Sequence, residues 1–414
     1  MAKRLIENSS LESEIVDEIE QSRRELLELT QKLVRTESLS GQEGKLATLI
    51  SSEMKNLGFE SVRIDEVGNV LGSIGGTTDE GSLLFNGHMD HVPPGDMPDP
   101  YSAEIRDGAA FDVSGQVILG RAASDMKGAL AAMMMAGSAL QELGISLRRR
   151  MTVAAVVLEE VNGLGSRYLA ESDMRSGGVI IGESTNLDVA LGHRGSMAVS
   201  ITTEGRSCHA SVPERGVNAL YKMIPILQNI SLEAEGLPSH PVLGKSSMAA
   251  TTISVSPNVK NVIPNRCTVG LDVRNTPNFP PEEVLKRIRG VVNQAKAQDS
   301  KISASVELVK RDLKSYTGYA REIDAMTPPL YTEPDAPLAQ MTRRVADRVL
   351  RKVSQFKVWS FATDGSYFAE RGIPTVGFGP GEERFAHSPT DNIGVEDLVA
   401  SAKVYAALAA EFCQ

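Results

Sequence analysis

The chain has 414 residues, 41% of them hydrophobic and 23% charged, with a formal net charge of −10. That length exceeds one ordinary core and calls for two domains, while the balance is that of a soluble globular protein. The acidic surplus repels phosphate backbones, which excludes nucleic acid as the main partner, and no apolar run approaches the ~20 residues of a membrane helix.

Met1 to Ser10 is polar where a secretory signal would carry its apolar stretch, and Cys208, Cys267 and Cys413 are far apart without metal-knuckle spacing. A reducing, cytoplasmic location is expected. Residues 11 to 36 place Leu11, Ile15, Ile19, Leu26, Leu27, Leu29 and Leu33 at helical spacing among many charges, which predicts an amphipathic surface helix. A second helix is expected over Glu43 to Leu57, stopped by Gly58. Short apolar runs follow at Leu83 to Phe85, Met151 to Leu158, Val179 to Ile181, Val358 to Phe361 and Thr375 to Phe378. Between them, helices are expected over Lys127 to Leu143 and Gly165 to Glu171. This alternation predicts an α/β fold with a mostly parallel, buried sheet flanked by helices.

The middle of the chain differs. Met197, Val199 and Ile201 alternate within residues 196 to 206, and a helix follows over Val217 to Ile230. Strands over Ala250 to Ser256 and Cys267 to Val273, a helix over Pro281 to Gln298 and a strand over Ile302 to Val309 complete the run. That β-α-β-β-α-β order predicts an inserted α+β ferredoxin-like domain. With Tyr316 to Pro337 as the return, residues 1–192 and 316–414 form the α/β domain and residues 193–315 the insert.

In open α/β sheets, ligands bind beyond the carboxyl ends of the strands. Leu83 to Phe85 runs into His88 and Asp90, Val156 to Leu158 into Glu159-Glu160, and Val179 to Ile181 into Gly182-Glu183. Thr375 to Phe378 leads through Gly379-Pro380-Gly381 to His387. In a parallel sheet these ends converge. Ser124-Asp125 supplies a further carboxylate, with Ser124 expected to cap the Ala- and Met-rich helix after it. Each acid alone reads as a solvated surface charge; their shared placement after buried strands is what favours a site. His88, Asp125, Glu160, Glu183 and His387 form a nitrogen and oxygen ligand set that suits zinc, manganese or cobalt better than calcium or magnesium. Five ligands fit two ions that share one bridging carboxylate.

Five ordered motifs resemble those of the M20 metallopeptidases and deacylases. They are His88-Met-Asp90-His-Val-Pro93, Gly120-Arg-Ala-Ala-Ser-Asp125-Met-Lys127-Gly128, Glu159-Glu160, Gly182-Glu183-Ser-Thr185 and Ala386-His387-Ser-Pro389. The likeness spans nearly the whole chain, and the segment Gly205 to Gly216 with Asn218-Ala219 is most similar to the selenium-metabolism hydrolase branch. The resemblance implies His88 and Glu183 on one divalent ion, Glu160 and His387 on the other, and Asp125 between them, with the Asp125-Met126 peptide cis. It implies Asp90 as the residue that accepts from the far nitrogen of His88, and Glu159 as the general base for a metal-held water. It implies His209 as an oxyanion donor reaching across a homodimer, Asn261 and Arg274 as substrate contacts in a mobile lid, and Gly381 as part of an anion-binding loop.

Two departures from the family pattern stand in Gly120-Arg121-Ala122 with Ala129, and in Pro257 to Lys260 where a glycine pair is common. Other chemistry-bearing residues read more simply as structural: His193 as a hinge contact, His91 and His240 as wall or solvent-facing groups, Met133 to Met135 as core, Asp364 as loop-shaping. Cys208 beside His209 reads poorly as a nucleophile, because neighbours on a strand face opposite ways. The expected reaction is hydrolysis of an amide in an N-acyl amino acid, dipeptide or related small carboxylate. Its rivals are release of ammonia from a carbamoyl, amidine or aryl-amine substrate, and a non-catalytic binding protein on the same scaffold.

Overall fold

The computed structural model describes residues 2–76, 81–172 and 176–414. Its largest sheet has eight strands in the order Ser61–Ile64, Val70–Ile74, Met151–Val156, Ser82–His88, Ser176–Ile181, Thr375–Gly377, Val189–Ala190 and Phe356–Lys357. Its four inner strands, from Met151–Val156 to Thr375–Gly377, run parallel to one another. Antiparallel pairs flank them on both sides. All seven residues of Ser82–His88 are buried, as a strand covered by helices on both faces requires. Ring packing extends from this strand: Phe85 meets Tyr405 edge-on at 5.2 Å, and the Tyr405 hydroxyl donates to the Phe378 carbonyl at 2.6 Å. The helices Gly128–Glu142 and Val395–Phe412 cover this face, with Met133, Met134 and Met135 in the core as expected.

A second, antiparallel sheet takes Ser247–Ser256, Arg266–Arg274, Ser196–Glu204 and Ser303–Leu308 in that order, with Met326–Thr327 pairing beside Ser196–Glu204. Helices Ala219–Glu235 and Pro281–Gln298 join its strands, and the two pack their apolar faces into a core of their own. This is the β-α-β-β-α-β order read from the sequence. A hairpin, Lys310–Lys314 with Ala320–Asp324, then leans on the first half of the chain through Tyr316 to Gly68 and Thr317 to Glu66.

Several elements differ from expectation. The helix expected over residues 11 to 36 is two, Ala2–Gln21 and Arg23–Arg35, broken at Ser22, whose hydroxyl turns back to Glu18. The strand expected over Val358 to Phe361 lies two residues earlier, at Phe356–Lys357. Trp359 is apolar for another reason: its indole lies over Gly377, where a Cβ would come within 2.0 Å, and its Nε1 donates to the Ser184 carbonyl. Among the described residues no helix is long and apolar enough to cross a membrane.

Just before Ser196–Glu204 and just after Met326–Thr327, Gly192–His193 pairs antiparallel with Leu330–Tyr331. His193 is fully buried there, with Nε2 accepting from the Thr363 N–H at 3.0 Å and Nδ1 donating to the Arg194 carbonyl at 3.0 Å. Burial pushes the imidazole down to about 4, against the lesser pull of those backbone bonds. A folded value below the unfolded one, about 6.5, means the unfolded chain takes up the proton first, so stability falls as pH drops from ~6.5 towards ~4. At pH 5 this one group removes about 2 kcal/mol relative to pH 7. Urea unfolding at the two pH values should therefore show His193→Asn losing about 2 kcal/mol less than wild type; equal losses would contradict the assignment.

Candidate metal centre

The four parallel strands deliver their carboxyl ends to one cleft. His88 is the last residue of Ser82–His88, and Glu183 follows Ser176–Ile181 by two residues. Glu159 and Glu160 open a short turn beyond Met151–Val156, and His387 arrives ten residues after Thr375–Gly377. Asp125 comes from a tight turn at the head of Gly128–Glu142, with a cis peptide bond to Met126.

These five side chains form two groups that share Asp125, each compact enough to hold a metal ion. His88 Nε2 lies 2.9 Å from Asp125 Oδ1 and 3.3 Å from Glu183 Oε1. His387 Nε2 lies 3.1 Å from Asp125 Oδ2 and 3.0 Å from Glu160 Oε1. Each oxygen of one carboxylate thus faces a different histidine. His387 is half exposed, so this side of the cleft is open, whereas His88 and Glu183 are sealed.

The donor chemistry fits bound cations. His88 Nδ1 lies 2.8 Å from the Asp90 carbonyl oxygen, an acceptor only, so Nδ1 carries a proton and Nε2 is the atom turned to the two carboxylates. Glu183 Oε2 is buried with no partner among the described residues. Lone pairs crowded in this way repel unless a positive charge sits among them. With no cation, protons do that work. Donating to the Asp125 and Glu160 carboxylates raises His387 to about 10, and burial with the charge of Asp125 raises Glu183 to about 7. Burial also pushes up Asp125, yet the hydrogen bonds of His387 and His88 outweigh it and hold that carboxyl below the usual range. Burial, then the nearby charge of Asp364, raises Glu159 well above the ordinary carboxyl value.

The turns carrying the acids are held by contacts that sequence patterns did not indicate. The Asp391 carboxylate accepts the N–H groups of Ala122 and Ser124 at 2.7 and 3.0 Å and pairs with Arg121 at 3.2 Å, fixing the approach to Asp125. Ser124 does not cap the following helix. Its hydroxyl points across to Ser184 at 3.1 Å, tying the Asp125 turn to the Glu183 turn. The Asp90 carboxylate also differs from expectation: Oδ1 is 3.8 Å from His88 Nδ1, which bonds instead to the Asp90 carbonyl. It is turned to accept the N–H groups of Glu159 and Glu160 at 3.0 and 3.2 Å and the Ser40 hydroxyl at 2.7 Å. Those N–H groups lose their sheet partners where the strand ends, which leaves them to Asp90.

Among the other predicted residues, His209 and Asn261 come together at one end of the second sheet, where His209 bridges to Val262 and the Ala210 N–H donates to Asn261. His209 is exposed, its Nδ1 2.7 Å from the Ser211 hydroxyl. The Arg274 guanidinium is engaged by Asp272 at 2.8 and 3.1 Å. Gly381 is packed against the Ser124 and Ser184 hydroxyls, where a Cβ would come within 2.3 Å of each. Its carbonyl accepts from the Asn186 N–H.

A profile for peptidase family M20/M25/M40 matches residues 84–411. The uncharacterized Escherichia coli protein YgeY is 31% identical over 403 residues, 95% of this chain and 96% of that one. Succinyl-diaminopimelate desuccinylase 2 of a Ruegeria species is 31% identical over 278 residues, 63% of this chain and 67% of its own. The solved structure of the Bacillus subtilis YXEP protein, a dinuclear metal binding peptidase of the M20 family, aligns with a TM-score of 0.70 at 15% identity. That alignment covers 95% of this chain and 99% of the other, a likeness of fold. The chain belongs to peptidase family M20/M25/M40 and is a metal-dependent hydrolytic enzyme.

Since a ligand that binds only the folded chain stabilises it, stripping metal with a chelator should lower Tm, and zinc, manganese or cobalt at about 100 times Kd should restore about 2.7 kcal/mol. Asp125→Asn should lose most of that shift, since Asp125 serves both groups. A wild-type melting curve indifferent to chelator and metal alike would contradict the site.

Proposed function

We propose that this enzyme hydrolyses an amide bond in an N-acyl amino acid, a dipeptide or a related small carboxylate, using two divalent transition ions, zinc foremost. The observation that carries the reading is Asp125, whose two oxygens face His88 and His387 separately. In this reading His88 and Glu183 hold one ion, Glu160 and His387 the other, and Asp125 bridges. Bound ions would polarise the scissile carbonyl and lower the pKa of water. Glu159 adjoins a ligand yet belongs to neither group, which frees it to take a proton from the attacking water and pass it to the leaving amine. Asp90 keeps the His88 tautomer through its carbonyl and holds Glu159 and Glu160 through its carboxylate.

The second sheet supplies the remaining roles. His209 would donate to the oxyanion, Asn261 and the Gly381 loop would line the pocket, and Arg274 would exchange Asp272 for a substrate carboxylate. The division into residues 1–192 and 316–414 around a lid of residues 193–315 belongs to this reading, supported by the separate apolar cores. So does a homodimer through the lid. Tyr221 and Leu232 on the lid helix are 67% and 66% exposed, and Ile253 on the edge strand is 56% exposed, an apolar face suited to a second copy. A reducing, cytoplasmic setting is supported by the three cysteines, all free thiols.

On metal-loaded protein, with released amine as the readout over a panel of N-acyl amino acids and dipeptides, Glu159→Ala should cut turnover about 10²–10⁴-fold while metal content holds. Turnover near wild type would remove the general base. The trans role of His209 is tested by mixing two inactive chains, His209→Ala and Glu159→Ala. One site in each mixed dimer would then hold an intact Glu159 and an intact partner histidine, so activity should return on mixing. No recovery in a dimer shown to exchange subunits would place His209 in its own chain's site.

A further inference from the structure

We infer that Glu43 is a positioning residue for the reaction, its carboxylate clamping the turn that aims Glu159 and Glu160. The inference rests on the proposed roles of those two acids. Glu43 stands just before the helix Gly44–Asn56, ahead of the residues that the family profile matches.

Ser40-Gly-Gln-Glu43 has the spacing of a capping box, in which the glutamate would reach back to the Ser40 N–H and face solvent. Glu43 does otherwise. The helix begins one residue later, and Glu43 is fully buried. Its Oε1 accepts from the Gly41 N–H at 2.9 Å and, 115 residues away, from the Leu158 N–H at 3.2 Å. Its Oε2 is buried with no hydrogen-bond partner among the described residues. Burying a half-satisfied carboxylate is unfavourable, and a cap at the surface would not incur that cost.

The gain lies at Leu158. This residue is left-handed, with φ 60° and ψ 31°, a conformation in which its Cβ crowds the following carbonyl. The reversal swings the chain out of the strand Met151–Val156 and turns Glu160 towards Asp125 and His387. Three successive N–H groups, those of Leu158, Glu159 and Glu160, are then taken by two carboxylates: the first by Glu43, the other two by Asp90. The Ser40 hydroxyl, one residue before Gly41, donates to Asp90 and ties both carboxylates to one loop. The Lys310–Asp324 hairpin closes over that loop. The Tyr316 ring crowds Gly44 and Gly68, its hydroxyl donates to the Gly68 carbonyl at 3.0 Å, and the Lys314 carbonyl lies against Gly41. A clamp sealed from water in this way fixes the direction of the two acids without touching substrate.

Three variants of the metal-loaded full chain separate positioning from charge and from bulk stability. Glu43→Gln keeps an acceptor oxygen at the Leu158 N–H, Glu43→Asp keeps the charge but draws it back by one carbon, and Glu43→Ala removes both. Positioning predicts that Gln holds kcat within about threefold, whereas Asp and Ala each lose about 10–100-fold at little-changed KM. Hydrogen–deuterium exchange of the amides of residues 158–160 should stay protected in Gln and speed up about tenfold in Asp. The opposite order, with Asp active and Gln inactive, or unchanged protection and kcat in Asp, would overturn the inference. Should Ala fail to fold, the Gln and Asp pair still decides it. Should wild type hydrolyse no amide in the panel, the proposed function fails, while the exchange measurement still judges the clamp.

Discussion

Everything in the cleft depends on one carboxylate divided between two histidines. Asp125 turns one oxygen to His88 and the other to His387, and Glu183 and Glu160 crowd in beside them. Three acids so close, most of them out of water, cannot all stay ionised without positive charge among them. Protonated imidazoles can supply that charge, but divalent cations supply more of it and match the geometry of the donors. The arrangement therefore reads as a metal centre from its own electrostatics, before any relative is considered.

The fold makes this crowding possible by bringing distant pieces of chain to one edge. Four adjacent parallel strands end at the same side of the sheet, and three of the turns that carry the acids are secured by groups from elsewhere in the chain. Asp391 secures the Asp125 turn, Asp90 and Glu43 secure the Glu159-Glu160 turn, and the Ser124–Ser184 contact joins the Asp125 and Glu183 turns. A rigid floor of this kind leaves the second sheet free to carry the adaptable contacts. His209 is exposed on a loop, and Arg274 is partly exposed and paired with Asp272.

Much of this was legible in the sequence because the signals are local. A short buried run followed at once by His, Asp or Glu can be read from neighbours alone, and so His88, Glu160, Glu183, Asp125 and His387, which the structure brings together, could be read as one set. The β-α-β-β-α-β order was legible for the same reason. What escaped notice depends on contacts across long stretches of chain. Glu43 was read only as the start of a helix, yet its side chain reaches Leu158; Asp391 drew no reading, yet it holds the turn at Ala122 and Ser124. Ser61–Ile64 was missed because it is an edge strand with mostly exposed, polar residues. Trp359 drew a strand assignment two residues too far along, because an apolar run records burial and not hydrogen bonding.

Anomalous diffraction from zinc-loaded crystals tests the central claim most directly. Two zinc peaks about 3.5–4 Å apart, one on each side of the Asp125 carboxylate, are the predicted result. A single peak, or metal bound away from Asp125, would contradict it.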